Sequence, residues 1–222
     1  MSEGKSPAAM RARTPAAAAR PGPITASLAV VLPDEPVPVR LMNTIWADRL
    51  GVHDALTTAG NLRAWLSAIH LDVGQQAPGP GELELFRALR DALRCLAALL
   101  TGDTRPAAAS ATTGIAQAVA HVNDAAAQAL SWPQLAYQEG QLHLATAGHA
   151  TPTRRALSSV AHQSIDLLTS EDRVKLRACN APGCVLYFVK DHPRREWCSA
   201  ACGNRARAAR HYQRHHKKPP GK

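Results

Sequence analysis

Arg177-Ala178-Cys179-Asn180-Ala181-Pro182-Gly183-Cys184 and, further on, Trp197-Cys198-Ser199-Ala200-Ala201-Cys202-Gly203-Asn204-Arg205 hold four of the five cysteines in the chain. The spacing is C-x4-C, thirteen intervening residues, then C-x3-C. Two close thiolate pairs suit tetrahedral zinc, a borderline-soft ion that takes four ligands in a structural site. Pro182 and Gly183 favour a tight turn that lets the first two sulfurs converge. An iron–sulfur cluster also takes four thiolates, but a hairpin-and-helix setting favours zinc. We therefore expect one structural zinc per chain, held by Cys179, Cys184, Cys198 and Cys202. Four thiolates leave no open position for catalysis.

Between the pairs, Val185 to Val189 is rich in β-formers, and Lys190 to Arg195 reads as the basic tip of a hairpin that returns through Glu196-Trp197. After Cys198 the chain is Ala- and Arg-rich with no proline until Pro219, which predicts a helix. Turn, hairpin and helix together make a treble-clef-like module. So small a piece would not fold without its metal. Loss of zinc should then unfold the region after Cys179 and leave the rest of the chain largely folded.

Working outward, charge divides the 222 residues. Residues 173–222 carry +11 and residues 1–172 carry −2, within a total of +9. Such asymmetry suits a polyanionic partner at the C-terminal end. Arg207, Arg210 and Arg214 recur three and four residues apart and share a helix face. With Arg205, and with Lys190, Arg194 and Arg195 at the hairpin tip, they are the candidate nucleic-acid contacts. DNA is the expected partner. RNA binding and a zinc-dependent protein-interaction scaffold are the alternatives, since charge does not separate DNA from RNA.

Upstream, residues 1–26 are Ala-, Pro- and Arg-rich with few large apolar side chains, and read as a disordered tail. Val37–Met42 is an apolar run interrupted by Pro36 and Pro38, which suggests an edge strand or extended segment. Leu62, Trp65, Leu66 and Ile69 recur at helical spacing behind a Thr58 or Asn61 cap. Leu85, Leu89, Leu93, Leu96 and Leu100 mark a long amphipathic helix, with Arg87, Arg90 and Arg94 on its other faces. A third helix spans roughly 112–130. A β-hairpin follows with Glu139-Gly140 at its turn, and a fourth helix opens at Thr151-Pro152. Cys95 reads as a small buried hydrophobe.

The expected fold is α+β: a mainly helical N-terminal domain with one or two β-hairpins over 27–172, a zinc module over 173–215 and a basic tail over 216–222. No run approaches a membrane-spanning length, and Met1–Pro23 lacks a signal-peptide core, so a cytoplasmic protein without a membrane partner is expected. The chain has no Ser/His/Asp set, phosphate loop or open metal triad, and no enzyme is expected.

Trp197-Cys198-Ser199, followed by Cys202-Gly203-Asn204-Arg205, resembles the signature of the CGNR zinc-finger family. Met42-Asn43-Thr44, Asn61 to Leu66 and Ser164 to Thr169 resemble the N-terminal ABATE domain that typically accompanies it. The resemblance covers roughly 27–214. It implies a mostly bacterial, stress-responsive transcription regulator in which Gly203, Asn204 and Arg205 belong to the recognition unit. A small-molecule effector would bind the ABATE-like domain, with Asn43 and Arg90 as candidate ligand-binding residues. The oligomeric state stays open.

Overall fold

The computed structural model describes residues 32–216 other than 72, 75, 76 and 131, so the tail 1–26 and residues 217–222 lie outside the described residues. Among the described residues the first helix is α1, Val37–Met42, where an extended segment was expected. The prolines explain the difference. Pro36 is the N-cap and Pro38 falls in the first turn, where a missing N–H has no intrahelical partner to lose. Pro38, Val39, Leu41 and Met42 are buried.

Strands β1, Ile45–Ala47, and β2, Val52–Asp54, form a short antiparallel hairpin. Helix α2, Ala59–Ala68, begins at Thr58, whose hydroxyl accepts from the Asn61 N–H at 3.1 Å. Helix α3, Pro80–Thr101, runs from the Glu82 carboxylate, which accepts from the Gly79 N–H, to a left-handed Gly102 at φ 62°. Only glycine takes that conformation without strain.

α3 is the axis of the fold. It packs on α1, on α4 (Ile115–Ala126), on α5 (Pro152–Thr169) and on strand β5 (Leu176–Ala178). Its buried surface is therefore wider than the leucine stripe predicts. Phe86, Ala92, Cys95 and Ala97 are buried with Leu89 and Leu93, whereas Leu100 is exposed. Between α4 and α5 the predicted hairpin forms from β3 (Trp132–Gln138) and β4 (Gln141–Ala147). Thr151 caps α5 by accepting from the Arg154 N–H.

The C-terminal hairpin differs from expectation. Strand β6, Tyr187–Val189, pairs antiparallel with β5 upstream, and Lys190–Trp197 forms no return strand. The first cysteine pair thus sits at the tip of the β5–β6 hairpin, where the Cys179 N–H donates to Leu186 O at 2.9 Å. Helix α6, Ala200–His216, follows the second pair. Side chains alternate along a strand, so Tyr187 and Phe188 point to opposite sides of β6. Both are buried. Tyr187 joins the main core with Leu176, while Phe188 joins the cysteine cluster. One strand is the wall between two cores.

Candidate metal centre

The Pro182-Gly183 turn closes as the sequence predicts. The Cys184 N–H donates to Ala181 O at 2.9 Å, and Gly183 takes φ 71°. The second pair lies at the start of α6, where Ser199 Oγ accepts from the Cys202 N–H at 3.3 Å. These two local structures bring all four buried sulfurs within 4.8 Å of one another. Cys184 Sγ lies 3.8 Å from Cys198 Sγ, which lies 3.4 Å from Cys202 Sγ. A tetrahedron of sulfurs about 2.3 Å from zinc has edges of roughly 3.8 Å, so the cluster matches the ion in size.

The electrostatics agree. Hydrogen bonds from Cys184 and then Cys198 hold the Cys179 thiol far below its ordinary range, at about 2. The contact with Cys179 pushes Cys184 up to about 12 and raises Cys198 as well. Several buried thiols this close cannot ionise together without a cation. A divalent ion removes the conflict, and the site holds one structural zinc.

Arginines frame the cluster. Arg105 Nη1 donates to Cys179 O at 2.6 Å and to Cys184 O at 2.7 Å, so it grips both ends of the first turn. Its other nitrogens donate to Asp103, whose carboxylate also accepts from the Tyr187 hydroxyl at 2.8 Å. Burial pushes the Asp103 carboxyl up, but the Arg105 and Tyr187 hydrogen bonds outweigh it and hold the group at about 2. Arg205 Nη2 donates to Cys202 Sγ at 3.1 Å. Zinc with four thiolates carries a net −2, and nearby guanidinium groups offset it.

The expected basic tip divides. Arg195 is turned inward: it pairs with the buried carboxylate of Glu35, donates to Val189 O and Cys198 O, and lies over the Phe188 ring. Glu35 also accepts from the Val189 N–H at 2.8 Å, tying the start of the chain to β6. Arg194 is exposed and Lys190 half-buried. On α6, Arg207, Arg210 and Arg214 are all exposed, and no acidic residue occurs between Ala200 and His216. Arg210 lies 5.6 Å from the centre of the Trp197 ring. That ring in turn rests on Gly203, where an added Cβ would meet Trp197 Cδ1 at 3.1 Å. Gly203 thus makes room for the tryptophan lid over the metal cluster.

Asn43 and Arg90, the two candidate ligand residues, are engaged internally. Asn43 Nδ2 donates to Tyr187 O and its Oδ1 accepts from the Tyr187 N–H, both at 2.9 Å. The side chain behaves as a neighbouring strand would, satisfying the free edge of β6. Arg90 is buried between Asp54, at 2.7 Å, and Asp91, at 2.9 Å. Both side chains thus have partners within the fold.

Glu35, Arg94, Asp103 and Arg105 do not stand out in the sequence. Asp103 and Arg105, two positions apart, could signal a local pair, but nothing in their spacing points to a cysteine turn more than seventy residues away.

Family models place these observations in a lineage. Residues 35–171 match ABATE, described as "Putative stress-induced transcription regulator", and residues 175–215 match the CGNR zinc finger. Comparison with curated proteins finds none similar to the chain. The boundary between the two matches falls at the short turn Glu171–Lys175 that leads into β5. With more than half its length in the first match and its cysteine cluster in the second, the chain belongs to the ABATE family and ends in a CGNR zinc finger.

Proposed function

We propose that the chain is a zinc-dependent, DNA-binding transcription regulator whose α6 lies against the duplex. One observation carries this reading. A helix anchored at its start by the metal cluster exposes Arg207, Arg210 and Arg214 and bears no carboxylate. Arg194 and Lys190 extend the positive surface beside it. Arg205, already bonded to Cys202 Sγ, would set the charge near the metal and reach a phosphate only from that position. The family description of a transcription regulator supports the same reading.

The test is a salt titration of duplex binding. Each phosphate neutralised contributes about 0.9 to the slope of log affinity against log salt. The Arg207/Arg210/Arg214→Ala variant should lose between two and three units of slope and on the order of a hundredfold in affinity near physiological salt. Zinc content should not change. Undiminished affinity and slope would remove α6 as the contact element. Tighter binding to structured RNA than to duplex DNA would favour the RNA reading instead. A scaffold docking an acidic protein predicts no salt-sensitive nucleic-acid binding.

Stress-responsive sensing would be served by a groove of about 610 Å³ between the foot of the β3–β4 hairpin and α5, lined by Leu130, Ala147, Arg155, Ser159 and His162 among others. Arg155 and His162 there suit a small anionic or carboxylic effector with an apolar body. Screening such compounds should raise the melting temperature of the wild type. The gain should shrink in Arg155→Ala. Equal stabilisation of both proteins would place the effector elsewhere.

A further inference from the structure

The β3–β4 hairpin has a face that no other described element covers. Register puts Leu135 opposite Leu144 and Tyr137 opposite Leu142, so the four share one face with Pro133. They are 71, 83, 71 and 67 % exposed, in that order. The other face carries Gln134, Gln138, Gln141 and His143, interspersed with three alanines and with Trp132 at its foot. This alternation is that of a half-buried sheet, with an apolar side that packs and a polar side that faces water. Yet β3 and β4 pack chiefly on each other, and no other described element makes more than marginal contact with them. A two-stranded hairpin alone is only marginally stable in water. Its apolar face calls for a cover.

Charge narrows the choice of cover. Outside Glu139 at the turn, residues 132–147 contain no Lys, Arg, Asp or Glu. A nucleic acid or an acidic protein would find no ion to pair with on this face. Two copies of the chain repel each other at their C-terminal modules, +11 over residues 173–222, while residues 1–172, which include the hairpin, carry only −2. A neutral, apolar face is where they can meet.

The area suits a weak dimer. At roughly 100 Å² for each exposed leucine and about 150 Å² for the tyrosine, the four side chains offer on the order of 450 Å² per copy. For a pair that is roughly 900 Å², below the roughly 1,200 Å² of stable complexes and in the range of weak, transient ones. We propose that the apolar face of the β3–β4 hairpin is a homodimer interface, in which Leu135, Tyr137, Leu142 and Leu144 of one copy pack on the same residues of a second. A self-complementary patch of this kind closes as a two-fold dimer. This inference stands apart from the DNA-binding reading, and its test uses no nucleic acid.

The experiment is sedimentation equilibrium of the full zinc-loaded chain from micromolar to near-millimolar concentration, with hydrogen exchange measured across the same range. The wild type should move towards twice the 23.7 kDa chain mass. Exchange over residues 132–147 should slow as concentration rises. Leu135→Glu with Leu144→Glu should weaken self-association by about a hundredfold or more. Because both side chains already face water, the variant should keep its zinc and its far-UV spectrum. Three results overturn the proposal: a wild type that stays monomeric, a variant that dimerises as well as the wild type, or hairpin exchange that ignores concentration. A monomeric wild type that instead binds phospholipid vesicles through these leucines would assign the face to a lipid surface and would equally overturn it.

Discussion

Cys198→Ser should release the zinc and unfold far more than the residues around it. In zinc-finger peptides the metal contributes about 10–16 kcal/mol of apparent binding energy at neutral pH. That matches or exceeds the roughly 5–15 kcal/mol by which an ordinary domain is stable. From sequence, the loss is expected to stop at Cys179. The structure argues otherwise, because the two modules share their wall. Tyr187 and Leu176 belong to the main core, and the backbone of Tyr187 is held by Asn43 from the end of α1. Arg105 holds the carbonyls of two zinc ligands, and Glu35 holds Val189. Collapse of the finger would strip these buried groups of their partners, at about 1–3 kcal/mol for each unsatisfied group.

Melting of the zinc-free variant should therefore show the N-terminal domain destabilised by several kcal/mol, and wild-type unfolding should be one cooperative transition. Elemental analysis reports the metal, and hydrogen exchange along α3 reports the domain. Two well-separated transitions, the upper one at the wild-type position after zinc loss, would show that the modules fold independently and sink this account.

The metal site was legible because its information is local. Ligand type, pair spacing and the Pro182-Gly183 turn are all read within a few residues, and Cys179, Cys184, Cys198 and Cys202 converge accordingly. The helices after Thr58, Gly79 and Thr151 were legible for the same reason, since caps and periodicity act over one or two turns. Val37–Met42 was not. Two prolines weaken a strand and also suit the first turn of a helix, and only packing of Val39, Leu41 and Met42 into the core decides between them. The partner of β6 was missed because a strand carries no label for its neighbour. Lys190–Arg195 reads in sequence as one basic tip, and only Glu35, 160 residues upstream of Arg195, turns that arginine inward.

Arg94 is the furthest from being legible, and its substitution should be the second most damaging change. Spacing along α3 puts it opposite the leucine stripe, where solvent is expected, but α3 is enclosed and the side chain is only 1 % exposed. Among the described residues no carboxylate forms an ion pair with it. Nη1 donates to Met42 O at 3.0 Å, Nη2 donates to Ala108 O at 3.0 Å, and both approach Val185 O at 3.4 Å. The guanidinium also lies 5.3 Å from the centre of the Tyr187 ring. Burial lowers its pKa, yet an arginine stays charged, so these carbonyls serve as its solvation shell.

Arg94→Ala should leave a cavity and three carbonyls short of a donor, a loss of about 3–5 kcal/mol in denaturant unfolding. Arg94→Lys should recover only part of it, because an ammonium cannot fork to three acceptors around one ring. Since Val185 directly follows the ligand Cys184, both variants should also bind zinc more weakly, by about tenfold or more in competition with a chelator. That second reading separates a joint between modules from simple core filling. Arg94→Met supplies the decisive control, for it fills the volume without the charge. If it matched the wild type in stability and in zinc affinity, the guanidinium would be a tolerated burden rather than the bond between α1, α3 and the first cysteine turn.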